Sequence, residues 1–229
     1  MAFGVKSGPE FLAHKVRGEI LNNADNAKFV IMSTDWKNCY NEIIRKKAFE
    51  ILKEKRLDIP LRTLMYYLDS PDITFWHKDN NPLILPLGNG IGQGDPTSLA
   101  IVAYLQDILI GSFPKDNDIE SFFYVDDGTH IGDFEDVKNL IDHLRSDKFV
   151  ETGFILGGTT MYFPNWTSLS EAEKVEILST VPRGVKIVKG AKENARENGI
   201  LRSLVSLLVL TSTSRNILIL ILMINSKFG

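Results

Sequence analysis

Three aspartates carry the chemistry open to this sequence. Asp126 and Asp127 are adjacent and close an apolar, aromatic run, Phe122-Phe123-Tyr124-Val125. Asp127-Gly128 between two β-prone stretches is a hairpin signal, because such turns need positive φ. The expected strands are residues 122–125 and 129–131, with both carboxylates at the hairpin tip. Like charges held side by side need a positive partner; without one, a carboxyl is driven to keep its proton. A metal-free site should therefore hold at least one carboxyl with a raised pKa. Asp35 is the third member. It ends a buried-looking strand at residues 29–35 and precedes a helix. The bland alternative for the pair is an exposed turn, since aspartate tolerates turns.

Between the two acidic sites lies Gly88-Asn89-Gly90-Ile91-Gly92-Gln93-Gly94-Asp95-Pro96-Thr97-Ser98, a glycine-rich loop running into an apolar helix. It is no P-loop, since no Gly-Lys-Ser/Thr closes it, and Gln93 stands where a dinucleotide fingerprint has its third glycine. Asp95 is the expected N-cap and Pro96 suits the first helical turn. A strand-ending aspartate, a Gln-Gly loop before a helix and a Tyr-x-Asp-Asp hairpin follow one another in that order. In this the chain resembles reverse transcriptases, especially those of non-LTR retrotransposons. The three stretches look like motifs A, B and C of the polymerase palm. The resemblance runs over residues 3–190 and is clearest over 29–132.

The resemblance implies an RNA-directed DNA polymerase. When a primer 3′-hydroxyl attacks the α-phosphate of a dNTP, both in-line oxygens carry charge. Two divalent ions about 3.5–4 Å apart stabilise both. By resemblance, Asp35, Asp126 and Asp127 are the catalytic, metal-holding residues for two Mg2+ (or Mn2+) ions, with Asp35 and Asp126 bridging and Asp127 supporting. Tyr40, Gln93 and Gly94 are the nucleotide-binding residues. The aromatic ring at the Tyr40 position lies under the sugar and collides with a 2′-hydroxyl, which selects by exclusion. Apart from that likeness, Tyr40 is a core tyrosine one turn into a helix. The implied partners are an RNA or DNA template-primer and dNTP.

The likeness has gaps. Gly153-Phe154-Ile155-Leu156 resembles the start of motif D, but Thr159-Thr160 replaces the lysine that follows in the family. Residues 182–190 look like the segment feeding the primer grip, with Lys189 where an apolar residue is usual. The family has basic fingers before this region and a helical thumb after it, and neither is matched. The chain is thus expected to be a truncated palm, residues 1–190, that does not extend a primer alone, because positioning supplies much of such catalysis. Two other readings stay open. One is a non-catalytic remnant acting as a binding or interaction module. The other is an unrelated metal-dependent phosphohydrolase.

The elements that must position these residues read as an α+β domain. Helices are expected at 9–22, at 38–55 as one long helix, and at 60–68, 96–111, 133–146 and 169–178. Strands are expected at 29–35, 73–77, 83–87, 154–163 and 185–188 besides the hairpin. Short connections favour a mostly antiparallel sheet packed on helices, as in the palm's ferredoxin-like core. Arg45, Lys46, Lys47, Lys53, Lys55 and Arg56 form the densest basic cluster, expected as a solvated helix face. The chain has 229 residues, a net charge of −3 and no global basic footprint, which weighs against tight phosphate binding.

Its one cysteine, Cys39, excludes an internal disulfide and fits a reducing compartment. No apolar signal region opens the chain, so the expected address is intracellular, nucleus or cytoplasm. The histidines His14, His77, His130 and His143 are scattered, without metal-ligand spacing. Residues 191–229 form a Leu/Ile/Ser/Thr-rich tail. Arg215 interrupts it, and the apolar run 217–224 is too short to span a membrane.

Overall fold

The computed structural model describes residues 8–55, 62, 64–65, 72–76, 82–86, 88–114, 116–124 and 126–190. The tail at 191–229, Val125, and most of the helix expected at 60–68 lie outside the described residues. The elements are α1 (Gly8–Asn22), β1 (Phe29–Trp36), α2 (Cys39–Glu42), α3 (Arg45–Glu54), β2 (Asp72–Trp76), β3 (Pro82–Pro86) and α4 (Pro96–Ile110). They continue as β4 (Glu120–Tyr124), β5 (Asp127–Asp133), α5 (Phe134–Leu144), α6 (Asp147–Val150), β6 (Leu156–Phe163), α7 (Glu171–Thr180) and β7 (Val185–Lys189). This is the expected mixed α+β architecture.

The chain forms two compact units. One comprises the described residues up to Trp36, Pro114–His143 and those from Leu156 onward; the other comprises Lys37–Phe113 and Leu144–Ile155. The first holds a five-stranded sheet in the order β4-β5-β1-β6-β7. Every pairing is antiparallel except β6 with β7. β1 lies at the centre because Phe29 to Met32 are apolar and fully enclosed, which suits a strand covered on both faces. On one face, Leu12, Val16 and Ile20 of α1 pack against Phe29, Ile31, Ile131 and Tyr162. Lys15 ties α1 to β4 through Glu120 at 3.0 Å. On the other face, Phe134 opens α5 with its ring 5.7 Å from that of Phe163. α7 starts at a capping box in which Ser170 and Glu173 satisfy each other's backbone N–H groups. The unexpected Lys189 has a packing reason: its ammonium lies 4.7 Å from the centre of the Trp166 ring.

The second unit corrects one expectation. Residues 38–55 are not one helix. Ile43 (φ −55, ψ 122) and Ile44 (φ −81, ψ 95) are extended and separate α2 from α3. Their backbone groups are claimed from outside the helix. Gly90 donates to the Ile43 carbonyl at 2.8 Å, and Ile44 donates to the Thr152 carbonyl at 3.0 Å. Two β-branched residues, already weak helix formers, lose little by this exchange. α4 begins as expected, with Asp95 accepting from the Thr97 N–H behind Pro96.

Candidate active site

The register of β1 and β5 builds the site. Asp35 pairs directly with Asp127, Thr34 with Gly128 and Ser33 with Thr129. Cα atoms of directly opposed antiparallel residues stand about 4.5–5.5 Å apart. Partners across a ladder share a face, so the Asp35 and Asp127 side chains leave the same side of the sheet. That side also carries Phe29, Ile31 and Ile131, where α1 packs. It is apolar at one end of β1 and acidic at the other. Asp126 stands in the turn just before Asp127.

The electrostatics follow from this crowding. Burial pushes the Asp127 carboxyl up to about 7, with the charges of Asp126 and Asp35 adding to it. Asp35 is raised for the same reasons, burial first and Asp126 second. Raised carboxyls are what burial and crowded like charges produce. Among the described residues no three histidine, cysteine, aspartate or glutamate side chains close into a metal cage. The donor set nevertheless suits Mg2+, which takes oxygen ligands and keeps waters and phosphate oxygens in its shell.

The hairpin differs from expectation in one respect. Tyr124 pairs with Asp127, so Asp127 is already in the strand and Asp126 stands in the turn before it. Gly128 is absent from the positive-φ residues; it serves close approach rather than turning. A Cβ there would collide with Thr34 Oγ1 and stand 2.9 Å from His130 Nε2 and 3.0 Å from the Phe123 ring. The space left open is crossed by a contact between Thr34 Oγ1 and His130 Nε2 at 3.0 Å.

Tyr40, Gln93 and Gly94 belong to the second unit, and there the glycine-rich loop is tied to the Tyr40 segment. Ile91 donates to the Tyr40 carbonyl at 2.8 Å, next to the Gly90–Ile43 bond. Gln93 and Gly94 form the turn that leads into Asp95. Arg45 corrects the reading of a solvated basic face. Lys46, Lys53 and Lys55 are exposed, but Arg45 is buried at 3% exposure. Its guanidinium donates to the carbonyls of Gly90 at 2.5 Å and Asn89 at 3.3 Å. The planar fork of arginine suits such paired donation.

No protein-family model matches this sequence, and no curated protein matches it by sequence. The fold is shared with telomerase. Apo telomerase from Candida tropicalis aligns with a TM-score of 0.51 at 14% identity, over 68% of this chain and 31% of that one. Candida tropicalis telomerase in complex with a TWJ fragment of telomeric RNA gives 0.50 at 18% identity, over 69% and 29%. This chain therefore spans under a third of either telomerase chain. The shared feature is the mixed α+β fold, a five-stranded sheet packed against helices.

Four residues have roles that the sequence did not show: Gly128, expected as a turn glycine; Arg45, expected on a solvated face; His130, expected as one of four scattered histidines; and Thr34. The available signal was alternation in β1, where Thr34 is polar on a face otherwise formed by Val30, Met32 and Trp36; β5 is mostly polar and gives no such signal for His130. Thr159, where the family's lysine was looked for, is buried with an Oγ1 that has no hydrogen-bond partner among the described residues. Removing an unpaired hydroxyl at constant shape is neutral or favourable. Thr159→Val is expected to leave stability unchanged or raise it by up to about 1 kcal/mol in urea denaturation.

Proposed function

We propose that this chain is the palm of a reverse transcriptase of the non-LTR retrotransposon kind, and part of an RNA-directed DNA polymerase. The observation that supports this most is the pairing of Asp35 with Asp127 beside Asp126, on a fold shared with telomerase. In this reading Asp35, Asp126 and Asp127 hold two Mg2+ or Mn2+ ions. When bound, such ions stabilise charge on the attacking and leaving oxygens of phosphoryl transfer. The chain's own part is positional. Two carboxylates stand on paired strands and one in a tight turn, so their spacing is set by the ladder. Tyr40 excludes a 2′-hydroxyl, and the backbone around Gln93 and Gly94 approaches the incoming dNTP. The template-primer is RNA or DNA, and the address is intracellular.

A calorimetric Mn2+ titration at pH 7.5 tests the site. Asp126→Asn is expected to weaken binding at least about tenfold. Equal affinity in the two proteins overturns the reading. Primer extension on an RNA template with dNTP and Mg2+ tests the activity. Extension lost in Asp126→Asn supports a polymerase. Mn2+ binding without extension favours a remnant that keeps the fold as a binding module. Nucleotide hydrolysis without templated extension favours a phosphohydrolase.

A further inference from the structure

His130 is fully enclosed, with 0% exposure. It touches all three strands that frame the acidic site. Its Nδ1 lies 2.8 Å from Ser121 Oγ on β4, and its Nε2 lies 3.0 Å from Thr34 Oγ1 on β1. The Phe123 ring stands edge-on to it at 5.5 Å. Burial pulls the imidazole pKa down to about 3. A neutral imidazole has one donor and one acceptor nitrogen, and a hydroxyl can serve either, so both contacts are satisfied in either tautomer. The bridge to Thr34 passes over Gly128, where any side chain would block it. Thr34 directly precedes Asp35, Gly128 directly follows Asp127, and the two pairs are in register. The bridge therefore crosses β1 and β5 one residue behind the carboxylates, on the opposite face.

We infer that His130 is a positioning residue, which fixes through Thr34 and Ser121 how the Asp35 and Asp127 carboxylates stand relative to each other. This rests on the reading of the three aspartates as a metal site. Ligand spacing is what a divalent ion senses, and groups that orient its ligands change affinity by 10–100-fold in known sites. A purely structural histidine would change stability and leave ion affinity alone.

The test is Mn2+ calorimetry on the full chain at pH 7.5, with unfolding measured alongside. Thr34→Val keeps the side-chain shape and removes the hydroxyl that His130 needs. It is expected to weaken Mn2+ binding three- to tenfold, while Thr34→Ser, which restores the hydroxyl, stays within twofold of wild type. Ile177→Ala in α7 destabilises the same unit through a buried apolar residue and is expected to keep wild-type affinity. Should Thr34→Val not fold, Ser121→Ala cuts the other end of the bridge and is expected to weaken binding about threefold. Wild-type affinity in a folded Thr34→Val or Ser121→Ala protein overturns the inference. The same holds if Ile177→Ala loses as much affinity as they do. If the wild-type chain itself binds no Mn2+, the metal-site reading fails and this inference falls with it. A wild-type protein that binds and variants that bind equally well overturn the inference alone.

Discussion

Replacing Gly153 by alanine is expected to cost about 2–6 kcal/mol of stability. Gly153 holds φ +90, a conformation that L side chains rarely adopt. An added methyl would run into the Glu42 carbonyl oxygen, with its carbon at 2.5 Å and Ile43 Cα at 2.8 Å. These are backbone atoms, so no rotamer change can relieve the contact. Forced left-handed geometry contributes about 1–3 kcal/mol, and overpacking a further 1–3 kcal/mol. The wall that Gly153 presses against is the break between α2 and α3, where Ile44 donates to Thr152. Relief by backbone movement would therefore disturb the segment that carries Tyr40. Gly158 is the control. A Cβ there meets nothing within 4 Å, so Gly158→Ala is expected to be neutral or stabilising by about 0.5 kcal/mol. Urea denaturation of the two variants measures the contrast.

Asp127→Asn is expected to stabilise the metal-free chain by about 2 kcal/mol at pH 8 and to change little near pH 4. The sign follows from the direction of the shift. The folded carboxyl is raised from 3.8 to about 7, so the folded state holds its proton more tightly than the unfolded state does. Below about pH 4 both states are protonated and the group contributes no difference. As pH rises from about 4 to about 7, the unfolded chain ionises first and stability falls; above about 7 the loss is complete. A shift of that size corresponds to about 4 kcal/mol in full. The carboxyl is half-buried, and solvent screening reduces the figure to about 2 kcal/mol. Asparagine keeps the shape and removes the charge, so the variant's pH profile should be flatter between about 4 and 7. A divalent ion should reverse the ranking at pH 8, stabilising the wild type by binding its folded state and giving the variant less. A variant no more stable than wild type at pH 8 without metal would show that Asp127 ionises there without penalty.

That Asp35 lies near the end of a buried strand and that Asp126 and Asp127 lie at a hairpin could be read directly, because apolar and aromatic runs stopping at carboxylates have few other uses. The helix cap at Asp95-Pro96 and the apolar character of α4 were equally plain, since local backbone chemistry dictates both. Gly128 was misread because Asp-Gly is a local turn signal, whereas the demand on that glycine comes from Thr34 on another strand. The single helix expected over residues 38–55 failed for the same reason. Ile43 and Ile44 give up helical bonds to Gly90 and Thr152, whose proximity no local pattern reports. Arg45 reads as surface charge until the carbonyls of Asn89 and Gly90 are brought to it.

By itself, then, the sequence determined which residues are acidic, apolar or turn-forming and in what order they come. That was enough for the fold class and for the three aspartates as a candidate set. Only the tertiary structure decided that Asp35 pairs with Asp127 rather than with a neighbouring residue, that His130 joins three strands behind them, and that Gly153 closes against Glu42. Register, burial and close approach are properties of pairs of residues distant in the chain, and a one-dimensional pattern carries no term for them.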